Sequence, residues 1–145
     1  MAITFFPKPG DILLCDFSTG FKEPEMVKSN RPVLVLSPCI QGRAGLATVA
    51  ALSTVAPEPV CSYHYKIPRK SLPQTGNFQE RDTWLKGDMI YSVGFHRLNR
   101  IKLGKRDRVT GKRMYFCNRL GREQMKIVYE CVLCGLGLWH VSDYL

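Results

Sequence analysis

Glycine and proline interrupt this chain so often that only short elements fit between them. Twelve glycines and nine prolines divide the apolar residues ahead of Arg119 into runs of roughly four to eight, the length of a strand. Pro9-Gly10-Asp11 marks a turn, after an arm over residues 1–8, and leads into a strand over 12–17. The next strand begins at Arg31-Pro32 and carries Val33-Leu34-Val35-Leu36, which reads as buried, before Ser37-Pro38 closes it. Pro32 fixes its own φ and biases Arg31 toward an extended backbone, so a guanidinium sits on a stiff stem at the strand's mouth. Further strands are expected at 46–53, 63–67, 83–86 and 88–93, the last two separated by Gly87. Segments 95–102 and 108–116 are expected to pair as a basic two-stranded arm. From Arg119 the period changes: Leu120, Gln124, Ile127, Val128, Cys131 and Cys134 recur at helical spacing, with Asn118 as N-cap and Gly135 and Gly137 as stops. The pattern predicts a mainly β (α+β) protein, a small β-barrel with a C-terminal helix.

At 145 residues the length suits one domain over 1–145, with the basic arm near 97–118 and a short tail after 135. No apolar run is long enough to span a bilayer, and no signal-like leader is recognisable. The expected location is the cytoplasm, with no membrane partner. Six cysteines then read as reduced thiols. Cys131-x-x-Cys134 supplies half of a zinc site, to which His140 would add a ligand, but no second pair follows, so core packing is expected and no metal.

Charge is concentrated. Between Arg97 and Lys126 lie eleven lysines and arginines against Asp107 and Glu123, and eleven less two gives the whole net charge of +9. Such a block suits an anionic partner, nucleic acid before an acidic protein. Neither glycine-rich phosphate loop is present, nor a G-x-S-x-G elbow. What remains is Arg31 at one strand's mouth and Ser53-Thr54 at the end of the next strand. If those strands are neighbours, a cation and hydroxyl donors face one groove. Metal-free cleavage of RNA asks for these, together with groups that move protons at the 2′ and 5′ oxygens.

Pro9-Gly10-Asp11-Ile12, Arg31-Pro32-Val33-Leu34-Val35-Leu36-Ser37-Pro38, Ser53-Thr54 and Asp88-Met89-Ile90-Tyr91-Ser92-Val93 stand in that order. Together they resemble the PemK/MazF/Kid toxins over roughly residues 8 to 100, plus a terminal helix. The resemblance implies an SH3-like barrel of the PemK/MazF/CcdB type. It also implies a type II toxin-antitoxin toxin that cleaves single-stranded RNA as a sequence-selective, metal-independent endoribonuclease. A homodimer, a cognate antitoxin partner and no cofactor are implied with it. On that basis Arg31 would stabilise phosphorane charge, and Ser53 falls where the family has its catalytic threonine, with Thr54 beside it. Glu25 resembles the family's loop glutamate and would accept the 2′ proton. His96 is the candidate acid for the leaving group, chosen for its place beside Arg97 and not from the family motif. Arg97, Arg100 and Lys102, with Lys28 and Phe21 of the long polar loop over residues 18–30, are the candidate RNA contacts. The alternative is a non-catalytic SH3-like module that binds nucleic acid or protein, including a CcdB-like toxin with a protein target.

Overall fold

The computed structural model describes residues 3–144, with side chains described through Val141; the first two residues of the expected arm and the last of the tail lie outside them. The mainly β architecture with a C-terminal helix is observed. Six strands form one antiparallel sheet: β1 (Ile12–Cys15), β2 (Arg31–Val35), β3 (Leu46–Ser53), β4 (His64–Ile67), β5 (Thr83–Gly94) and β6 (Leu98–Asn99), in the order β4-β5-β3-β2-β1-β6. Two further strands, β7 (Lys102–Arg106) and β8 (Arg113–Tyr115), form a separate hairpin. A single helical turn, α1 (Asn77–Glu80), precedes β5, and α2 (Arg122–Gly135) follows the hairpin.

Alternation along the strands feeds two cores, one on each face of the sheet. Ile12, Leu34, Ala50, Leu52 and Leu85 pack with Met125, Val128 and Cys131 of α2. Leu13, Val33, Val35, Val49, Ala51 and Val93 point the other way, against Ile3, Phe17 and Met26. The central β3 is buried on both faces from Val49 onward, which explains its run of alanine and valine.

Four expectations are corrected. The first strand ends at Cys15, because Phe17 turns away to bond Lys28 across the long loop (2.9 Å, Phe17 N–H to the Lys28 carbonyl). Gly87 does not separate two strands. β5 runs through it, and the register against β3 slips between Ala50 and Ala51, leaving residues 87–89 as a bulge. The basic hairpin pairs Lys102 with Tyr115 and Arg106 with Arg113, while residues 98–99 return to β1. The helix begins at Arg122, with Gly121 as N-cap and the Gln124 side chain accepting its N–H. Its buried stripe is Met125, Val128 and Cys131, and Ile127 is exposed.

The bulge lets α2 approach. A Cβ on Gly87 would stand 2.6 Å from the Cys131 carbonyl oxygen, and one on Gly135 would stand 2.5 Å from the Gly87 carbonyl oxygen. Helix and sheet backbones meet here with no room for a methyl. A second tie joins the helix's approach to the sheet. Buried Asp11 accepts from the Arg119 side chain at 2.9 Å and from the Lys8 backbone at 2.8 Å.

Gly135→Ala is expected to destabilise the fold by about 1–3 kcal/mol, because the obstructing atoms are backbone; a urea titration monitored by circular dichroism measures it. Burial pushes the Cys131 thiol up to about 11 and the Cys15 thiol up to about 12, from an ordinary value of 9.0. The folded state therefore prefers the neutral thiols. Stability from this source is complete below about pH 9 and is lost as pH rises through 11 and 12. Urea midpoints should fall across that window, while exposed Cys39 and Cys117 react with maleimide in the folded protein and Cys15 and Cys131 do not.

Candidate active site

β2 and β3 are antiparallel neighbours, with Val33 opposite Ala51. Extended by two residues, this register sets Arg31 opposite Ser53. Both line a cavity of about 760 Å³ at the end of the sheet from which the hairpin departs. Leu14, Pro32 and Leu52 give it an apolar floor, and Thr54 and Val55 continue one wall. Asn99 enters from β6, Lys102 from β7 and Arg100 from the segment between them, with Tyr115 from β8. Lys28 and Asn30 close it from the long loop, and Phe78 with Asn77 from α1.

Ser53 is buried, 4% exposed, and its oxygen accepts the Val55 backbone N–H at 3.1 Å. That bond fixes the hydroxyl where β3 ends and leaves its proton for an acceptor in the cavity. The Arg31 Nε is buried without a hydrogen-bond partner, as is the Asn99 Oδ1. Burial lowers the Arg31 pKa, with the nearby Tyr91 phenol opposing the shift. Four cations, Lys28, Arg31, Arg100 and Lys102, line the cavity, and among the described residues no aspartate, glutamate or histidine does. Arg100 lies over the Tyr115 ring at 4.5 Å and the Phe5 ring at 5.9 Å, which presents a stacked planar surface at the mouth.

The cavity thus gathers six of the sequence candidates: Arg31, Ser53, Thr54, Lys28, Arg100 and Lys102. Four lie outside its lining. Glu25 is exposed and accepts the Lys22 N–H at 2.8 Å within its own turn. His96 is exposed, its ring lying across Gly94, where a Cβ would come within 2.5 Å of it. Arg97 donates to the carbonyls of Asp16 (3.0 Å) and Thr19 (2.7 Å). It also stacks over Phe21 at 4.8 Å. Phe21 in turn meets Phe17 and Tyr91 edge-on, and the Tyr91 hydroxyl accepts the Met26 N–H at 3.2 Å. This cluster secures the loop that delivers Lys28 and Asn30. Asn99 and Tyr115 were not singled out from sequence, since only the pairing of β6 with β1 and of β8 with β7 brings them to the cavity. No group of three or more histidine, cysteine, aspartate or glutamate side chains among the described residues could hold a metal ion. No helix there is long and apolar enough to cross a membrane.

An antiparallel sheet with a terminal helix carries a cationic, hydroxyl-bearing cavity, a combination whose charge suits an anionic ligand. Over residues 8–132 the chain matches the model of the PemK-like, MazF-like toxins of type II toxin-antitoxin systems, and it belongs to that family. It is 34% identical over 119 residues to the Escherichia coli protein YifN, covering 70% of this chain and 78% of that one. Its fold is similar to that of MazF from Deinococcus radiodurans, with a TM-score of 0.60 at 15% identity over 92% of this chain and 98% of that chain. It is also similar to a mycobacterial endoribonuclease in complex with its cognate antitoxin, with a TM-score of 0.57 at 18% identity over 91% and 96% of the two chains.

Arg97→Met should release the loop without unfolding the sheet. Losing two charge-assisted bonds, each worth about 1.5–3 kcal/mol at most, is expected to speed tryptic cleavage at Lys22 and Lys28 by at least about tenfold. The thermal midpoint of the remaining domain should barely move.

Proposed function

We propose that this protein is the toxin of a type II toxin-antitoxin pair and a metal-independent endoribonuclease acting on single-stranded RNA. The observation that supports this most is the pairing of a buried, partnerless Arg31 Nε with the buried Ser53 hydroxyl in one cation-lined cavity. In the reaction the 2′-oxygen forms a bond to the adjacent phosphorus, the bond from phosphorus to the 5′-oxygen breaks, and a 2′,3′-cyclic phosphate and a 5′-hydroxyl result. Negative charge grows on the non-bridging oxygens as five-coordinate phosphorus forms. Arg31 opposes that charge, and Ser53, with Thr54 beside it, donates to one of the oxygens. Lys28, Arg100 and Lys102 hold the flanking phosphates, and the Arg100–Tyr115 stack offers a face for an unpaired base. Glu25 and His96, both outside the cavity's lining in this structure, are the candidates to take the 2′ proton and to protonate the leaving oxygen. A second copy of the chain and a cognate antitoxin are the protein partners that go with this assignment, and the cytoplasm is its setting.

A second function, RNA binding without cleavage, is favoured by one observation: no carboxylate or histidine among the described residues lines the cavity. Purified protein incubated with RNA in EDTA separates the two. The expected outcome is cleavage with cyclic-phosphate ends, reduced by about 10²–10³-fold in Arg31→Ala and less in Ser53→Ala, where Thr54 remains. Intact RNA in a salt-sensitive complex would establish the binding module instead. Glu25→Gln and His96→Gln test the proton-transfer roles, and activity within twofold of wild type in either removes that residue from the mechanism.

A further inference from the structure

The basic hairpin is only partly absorbed by the cavity. Lys102 and Tyr115 line it, but beyond them β7 and β8 carry Lys105, Arg106 and Arg113 out into solvent, all exposed. The register slips between Lys102 and Arg106: three residues of β7 stand opposite one of β8. The excess chain turns at Gly104, at φ +75°, and leaves an open concavity of about 180 Å³ lined by Gly104, Lys105, Arg106 and Arg113. Among the described residues none of these three cations forms an ion pair. The neighbouring carboxylate is occupied: Asp107 Oδ1 accepts the backbone N–H groups of Val109 (2.8 Å) and Thr110 (2.9 Å), which shape the turn. Arg106 donates to the Gly111 carbonyl at 3.2 Å, so its guanidinium is held across the hairpin.

We propose that the bulged hairpin is a second phosphate-binding site that grips the RNA strand beyond the nucleotides in the cavity. This rests on the RNA-binding function proposed above. The two strands that line the concavity also carry Lys102 and Tyr115 into the cavity lining, so one RNA strand bound at Arg31 would extend along the hairpin toward Lys105, Arg106 and Arg113. Two of its three cations are arginines, whose planar forks suit phosphate oxygens. The mouth between the two sites is the Arg100–Tyr115 stack, which suits bases. An acidic polypeptide could pair with the Arg100 guanidinium but brings no base to the stacked face. The hairpin tip offers such a chain one exposed apolar residue, Val109.

Binding of 2′-O-methyl RNA, which lacks the attacking hydroxyl, tests this at several salt concentrations. Oligomers of about 4 and about 20 nucleotides are compared on wild type, on Lys105→Gln/Arg106→Gln/Arg113→Gln and on Lys105→Gln/Arg113→Gln. The double variant keeps the Arg106 bond to Gly111, so its hairpin survives if the triple variant's does not. For the long oligomer, the slope of log affinity against log salt should flatten by about 2 in the triple variant and about 1.4 in the double. Binding of the short oligomer, and cleavage of short unmodified RNA, should not change. Equal slopes in wild type and both variants, with RNA bound and cut, overturn the hairpin site and leave the cavity's function standing. Failure of wild type to bind either oligomer overturns both. Poly-L-glutamate binding that the variants lose, with RNA slopes unchanged, overturns RNA as the hairpin's ligand in favour of an acidic protein.

Discussion

The cavity depends on the antiparallel pairing of β2 with β3. Val33 opposite Ala51 and Leu34 opposite Ala50 bury small against larger side chains on both faces of the sheet. That register carries Arg31 to the side of Ser53. A slip by one residue would send Arg31 and Ser53 to opposite faces and turn both cores inside out. Because both faces are buried, the register is strongly specified, and the cavity at its end inherits that rigidity. Pro32 adds to this by removing a donor at the point where β2 begins, which leaves the strand's mouth open.

The same packing explains why the β scaffold was legible in the sequence and its ends were not. Leu46–Ser53 is apolar apart from Thr48 and the terminal Ser53, is buried on both faces over most of its length, and coincides with the run between turn signals. Gly87 misled because glycine marks both strand breaks and close approaches. Here it is the second, and only the position of Gly135 four residues past Cys131 on α2 shows what it must admit. The helix face is legible only in part for a related reason: Val128 and Cys131 are buried as the spacing predicts, but Ile127 is exposed. Ile127 fits the helical period as well as Met125 does, and the side that meets the sheet is set by the bulge, a tertiary feature with no local signature.

Of the functional candidates, Arg31, Ser53, Thr54, Lys28, Arg100 and Lys102 reach the cavity, whereas Glu25, His96, Arg97 and Phe21 lie elsewhere, although Arg97 directly precedes β6. Arg97 and Arg119 show how a count of charges overstates a binding surface. The first holds a loop by its carbonyls, and the second holds Asp11 at the start of β1. Both belong to the basic block, yet each spends its donors inside the fold. Composition assigns charge to a segment. Only geometry separates the cations that are satisfied from those left facing outward.

Arg31 is a third case, a cation left unsatisfied inside the fold. Its Nε lies out of solvent with no partner, and burial works against its charge. A carboxylate placed beside it would relieve that cost and is the usual solution for a buried guanidinium. No ion pair of the described residues involves Arg31. A paired arginine would have its charge cancelled before any ligand arrived. An unpaired one keeps its field for an anion that enters from outside, and gains most from an anion that becomes more negative after binding. The incomplete satisfaction of this residue is therefore what links the sheet to the proposed function at its end: the scaffold tolerates a buried donor, which a bound phosphate would complete.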